Sequence, residues 1–141
     1  MEWNIDAPQN VVDDLDTLFR DAVDAAANTL ADSAAFTPFM LVIDRPGGKA
    51  MRASGRSAGT DKLTITRMLQ RDGDNAALRA RVTVFDVTVS APFRGDATEV
   101  AFEHSTGLAV DLLVPYTVTS DSLEINLDGT DAVTGIGRLW A

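Results

Sequence analysis

Between Val100 and Val118 all the large apolar residues but Leu113 fall on even positions, and no other feature limits so tightly what this chain can fold into. Val100 and Phe102 precede a Ser105-Thr106-Gly107 corner. Leu108, Val110, Leu112, Val114, Tyr116 and Val118 follow it, with Glu103, Asp111 and Thr117 in between. Period-two alternation around a glycine corner is the pattern of a β-hairpin with one apolar face. A two-residue loop at Thr106-Gly107 sets Phe102 against Asp111 and puts a charge on the buried side. A three-residue loop instead sets Phe102 opposite Val110 and Val100 opposite Leu112, and it places Gly107 where the turn needs a left-handed residue. The rest of the chain then has to cover the even face.

The natural cover lies at the N-terminus. Pro8 suits a helix start, and Val11, Val12, Leu15, Leu18, Phe19, Ala22, Val23, Ala26 and Leu30 form the stripe of a long amphipathic helix. Asp13, Asp14, Asp16, Asp21 and Asp24 are expected on its solvated side. Pro38 then forbids helix, and Phe39 to Asp44 reads as a short buried strand. Arg45-Pro46-Gly47-Gly48 is a turn, and Lys49 to Ser54 is a less apolar return strand near an edge. Thr60 is placed to cap a second helix carrying Leu63, Met68 and Leu69, against the β-branched Thr64, Ile65 and Thr66. Asp72-Gly73-Asp74-Asn75 reads as a turn. Ala80 to Ser90 is apolar on both faces, as a central strand is. Ala91 to Asp96 connects it to the hairpin, and Leu123, Ile125 and Leu127 alternate in a last strand before Gly129.

These elements describe a single α+β domain over residues 1–141. An antiparallel sheet of about five to six strands packs on the N-terminal helix, with a second helix, in the order α-β-β-α-β-β-β-β. A chain of 141 residues buries enough surface to fold without a staple, and it has no cysteine to make one. Thiol nucleophiles, disulfides and cysteine-ligated zinc are excluded, which suits a cytoplasmic setting. The start MEWNIDAPQN has neither a basic nor an apolar leader segment, and no run is long enough to span a bilayer.

The net charge of −9 disfavours nucleic acid and anionic membranes. Its distribution is blocked. Residues 1–44 hold nine acids and Arg20 alone, residues 45–81 hold nine bases and three acids, and residues 82–141 hold nine acids and two bases. Internal neutralisation is the plain reading. The sharper one is docking through Arg45, Lys49, Arg52, Arg56 and Arg79, either to a second copy in a homodimer or to an acidic partner.

Phe36-Thr37-Pro38-Phe39 after the long helix, Glu103-His104 in a strand and Pro115-Tyr116 ending the next resemble an uncharacterised bacterial family, a domain of unknown function with F-x-P-F, E-H and P-Y signatures. The resemblance spans most of the chain and implies no catalytic residue. The element order also resembles that of roadblock or profilin-like domains, which implies a tendency to dimerise and nothing about activity.

Direct signs of chemistry are sparse. His104 is the one histidine and falls on the even, apolar face, so it is expected to be structural; Glu103 and Ser105 point the other way. Tyr116, also even, is expected to be a core ring with a satisfied hydroxyl. Glu103 and Asp111 share the odd face on a diagonal, a spacing that suits a carboxylate pair or a divalent cation, with Asp86 a third ligand if its strand is adjacent. Gly47-Gly48-Lys49 and Gly135-Ile136-Gly137 lack the spacing of phosphate loops. No cofactor is implied. The expected function is a non-enzymatic interaction domain, with a small-molecule or metal site on the odd face, and a hydrolase built on it, as the alternative.

Overall fold

The computed structural model describes residues 6–32, 36–53, 62–90, 95–118 and 122–135. Helix α1 (Gln9–Asp32) starts where Pro8 predicts, with the Pro8 carbonyl accepting the first bonds from Val11 and Val12 N–H. Strands β1 (Phe39–Asp44) and β2 (Lys49–Ala53) form the first hairpin, and β2 is an edge strand. Helix α2 (Lys62–Leu69) follows, then a single-turn helix α3 (Asp74–Ala77). Strands β3 (Leu78–Val89), β4 (Gly95–His104) and β5 (Ala109–Val118) form a meander, and β6 (Leu123–Ile125) and β7 (Asp131–Thr134) close the chain. The antiparallel order is β2-β1-β3-β4-β5-β6, with β7 beside β6 on the outer edge of β5. Six positions across the sheet are thus filled by seven described strands.

The hairpin register is the predicted one: Phe102 pairs with Val110 and Val100 with Leu112. Gly107 sits at φ +100°, its N–H donates to the His104 carbonyl, and His104 N–H donates to the Leu108 carbonyl. That is a tight turn followed by a glycine bulge. Further along, Pro115 has no N–H to give, and it lies where the outer partner of β5 changes from β7 at Leu113 to β6 at Tyr116.

The even face of β3, β4 and β5 belongs to α1. Leu15, Leu18, Phe19, Ala22 and Ala26 pack on Val82, Val84, Val100, Phe102, Val110, Leu112 and Val114, joined by Phe39, Leu41 and Ile43 of β1. The opposite face carries a smaller core in which Ile65 and Leu69 of α2 meet Met40, Val42, Leu78 and Phe85. This explains the continuous apolar run of β1: it is buried on both faces. Ile65 and Thr66, poor helix formers, are two of the three residues α2 turns inward, with Leu69, so packing has overridden propensity. Met68, expected in that stripe, is instead 53% exposed.

Four expectations need correction. Asp14 is buried rather than solvated, because three and four residues separate it from Val11 and Leu18 on the inward face of α1. Asp72-Gly73 turns as expected, but Asp74 and Asn75 continue into α3, with Gly73 at φ +85°. Gly95 and Asp96 belong to β4, and the short β7 has no counterpart in the expected order. The proposed Thr60 cap and Arg56 lie outside the described residues.

Candidate functional site

The odd face of the hairpin is half covered, and the uncovered part is a cleft. Alternation on β3, β4 and β5 sends Arg81, Thr83, Phe85, Glu99, Ala101, Glu103 and Asp111 to the face opposite α1. The register then sets Arg81 beside Glu103, Phe85 beside Glu99 and Ala101 beside Asp111. Lys62 and Thr66 of α2 complete the wall, around a cavity of about 90 Å³. Since a single water needs about 10–15 Å³ on this measure, there is room for several waters or a small organic molecule.

Arg81 is the most constrained residue of the lining. It is 3% exposed, deep in the central strand, and its guanidinium faces Glu103, itself 5% exposed. Nε and Nη2 both donate to the same carboxylate oxygen, Oε2, at 3.1 and 2.6 Å. A fork-on-fork pair uses both oxygens and leaves a guanidinium nitrogen for other acceptors. Here Nη1 is buried and has no hydrogen-bond partner among the described residues. At the rim, Lys62 pairs with Glu99 and lies over the Phe85 ring, 5.9 Å from its centre.

The three acidic candidates do not converge. Glu103 and Asp111 share the cleft, as alternation predicts, but Asp86 does not join them. The register pairs Val82 with Phe102 and Asp86 with Thr98, so Asp86 belongs to the even face. There it accepts a hydrogen bond from the Tyr116 hydroxyl. Burial of Tyr116, that hydrogen bond and the negative charges of Asp86 and Asp96 push the phenol well above its ordinary pKa. Among the described residues no group of three histidine or acidic side chains is placed to hold a metal ion.

Four of the five basic candidates, all but Arg56, are engaged within the described residues. Lys49 pairs with Asp21 at 2.9 Å, and Arg45 Nε donates to the Ala76 carbonyl at 3.0 Å. Arg52 forks onto Asp74 at 2.7 and 3.0 Å and also donates to the Leu69 carbonyl, tying β2 to α2 and α3. Burial alone would push the Asp74 carboxyl up. Hydrogen bonds from Arg52 and the Arg71 N–H, with the charges of Arg52 and Arg81, outweigh it and hold the pKa below the ordinary value.

Arg79 forks onto Asp14 at 3.0 and 2.9 Å, and the same carboxylate meets His104 Nε2 at 2.9 Å. His104 Nδ1 accepts the Thr106 N–H at 3.2 Å, so the ring proton sits on Nε2 and is donated to Asp14. His104 is thus a buried clamp between α1 and the hairpin turn, on the far side of the sheet from the cleft.

Sequence reasoning reached Glu103 and Asp111 but passed over Arg81 and Lys62. Comparison of the chain with protein-family models, with curated proteins and with solved structures finds no match. What the cleft does therefore has to be read from its own residues.

Proposed function

We propose that this chain is a small-molecule-binding domain whose site is the cleft between α2 and the odd face of β3, β4 and β5. The observation that carries this reading is Arg81 Nη1, a buried cationic donor on the cleft wall with no partner among the described residues. Buried polar groups in folded proteins are almost always satisfied, and an unsatisfied one costs about 1–3 kcal/mol, more when charged. A ligand oxygen entering from the cleft would supply the missing acceptor. The one histidine, His104, lies on the other face, held by Asp14 of α1, so any acid-base work at the site would fall to its carboxylates.

The test is amide chemical-shift mapping with small polar probes: formate, acetate, acetamide, glycine and β-alanine. Saturable shifts clustered at Thr66, Arg81, Ala101 and Asp111, lost in Arg81→Lys, support the reading, because lysine keeps the charge but has no second donor arm. If no probe moves that cluster, the cleft is not a ligand site.

A second reading, self-association, is favoured by one observation. Strand β2 is an edge strand whose Met51 is 56% exposed, and such an edge can pair with a second copy. Light scattering of the wild type and of Met51→Lys separates the two. A dimer that the lysine dissolves supports pairing along β2, and a monomer in both removes it.

A further inference from the structure

Resting on the ligand reading above, we infer that the cleft takes a small uncharged amide, its carbonyl oxygen on Arg81 Nη1 and its N–H on a threonine hydroxyl. The starting point is that the charged groups of the lining already have partners. Lys62 pairs with Glu99 and Arg81 with Glu103. Asp111, the remaining acid of the described lining, is engaged as well. The wall is short of one acceptor, at Nη1, and not of a charge.

An ion fits such a wall poorly. A carboxylate on Nη1 would bring a second negative charge to a guanidinium that already holds Glu103 at 2.6 Å, and in a partly desolvated cleft that repulsion is weakly screened. It would also give up its hydration, which costs an ion far more than an amide. A cation would leave Nη1 as it was and would have to draw a carboxylate away from its present partner. A carbonyl oxygen satisfies Nη1 and meets neither obstacle.

The rest of the lining provides for the other end of the molecule. Thr83 lies two residues from Arg81 on the same face of β3, about 7 Å along the strand, and Thr66 borders the cleft from α2. A hydroxyl has two lone pairs, so it can accept an amide N–H whatever bond its own proton makes. Phe85 and Ala101 give the carbon atoms an apolar surface. With a cavity of about 90 Å³, this favours a small amide over a peptide.

The experiment is a titration followed by the same backbone amide shifts, using acetamide, acetate and acetone, which carry NH2, O⁻ or CH3 on one acetyl group, with methylammonium as the cation. Acetamide is expected to bind about tenfold or more tightly than acetate or methylammonium, and about threefold or more tightly than acetone. The margin over acetone is expected to vanish in Thr83→Val or in Thr66→Val, whose amide spectra show directly whether they are folded. The wild-type panel decides the charge of the ligand without them. If acetate or methylammonium binds as tightly as acetamide, the uncharged ligand is overturned while the ligand site stands. Acetone level with acetamide, or a margin over acetone that survives in both variants, overturns the amide in the same way. If no probe moves the cleft amides, both readings fall together.

Discussion

Arg81 gives two nitrogens to one oxygen of Glu103 and keeps a third without an acceptor among the described residues, inside a sheet that buries both residues. Removing one partner strands the other as a buried charge. Glu103→Gln is therefore expected to cost about 3–5 kcal/mol, read from urea unfolding, while the double variant Arg81→Met, Glu103→Leu should be neutral or more stable than the wild type. A double variant no better than the single one would show that the pair itself holds the sheet. A second residue-scale outcome concerns Tyr116, the one tyrosine in the chain, so absorbance reports it alone. Its raised pKa means that the folded state keeps a proton that an unfolded chain loses at about pH 10. Stability tied to this group is complete below that value and is lost as pH rises through the folded pKa. No tyrosinate signal is expected near pH 10 in the folded protein, and Asp86→Asn should bring the transition closer to that of free tyrosine. The alternation made Glu103 and Asp111 legible as neighbours. Arg81 was visible as a charge inside an apolar run, but its role depends on which strand β3 pairs with and in what register. The same missing register sent Asp86 to the wrong face.

At the level of elements, the hairpin was readable because two independent signals agreed: the placement of charge on one face and the demand of the turn for a left-handed residue. Gly107 is that residue, at φ +100°, and a Cβ added there would meet nothing within 4 Å. Gly107→Ala is therefore a purely backbone change, expected to cost about 1–2 kcal/mol in urea unfolding, with Gly107→Asn costing less because asparagine tolerates this region. Equal costs for the two would point to a side-chain clash that the open space around the turn does not suggest. Helix α1 was equally legible from its stripe, yet its most informative residue was misplaced. A carboxylate on an inward face reads as an error of pattern until its partners are known, and those of Asp14 are Arg79 and His104, far along the chain. Helix α2 shows the reverse case. Its β-branched centre argued against helix locally, and burial of Ile65 and Leu69 on the second face of the sheet decided for it. The single turn of α3 and the short β7 offer too few residues for any period to register.

Across the whole molecule, the blocked charge pattern finds counterparts within the chain. The acidic N-terminal third supplies Asp14 to Arg79 and Asp21 to Lys49, and the acidic C-terminal half supplies Glu99 to Lys62 and Glu103 to Arg81. The basic middle therefore lies folded between its two acidic flanks, and four of the five bases suggested as a docking surface have partners among the described residues. This changes what salt should do. If the blocks drove assembly, molar mass would fall as the screening length shrinks from about 10 Å at 0.1 M salt to about 3 Å at 1 M. With the charges satisfied inside the chain, light scattering is expected to give the same mass across that range, whether the protein is a monomer or pairs along β2 through backbone hydrogen bonds. The response should appear in stability, and only slightly. The pairs of Lys49 and Lys62 are exposed enough for salt to weaken them, each worth about 1 kcal/mol or less, whereas Arg81 and Glu103 are shielded from it. A mass that drops with salt would return the basic segment to the surface as an interface and would require Arg45, Lys49, Arg52 or Arg79 to exchange an internal partner for an external one.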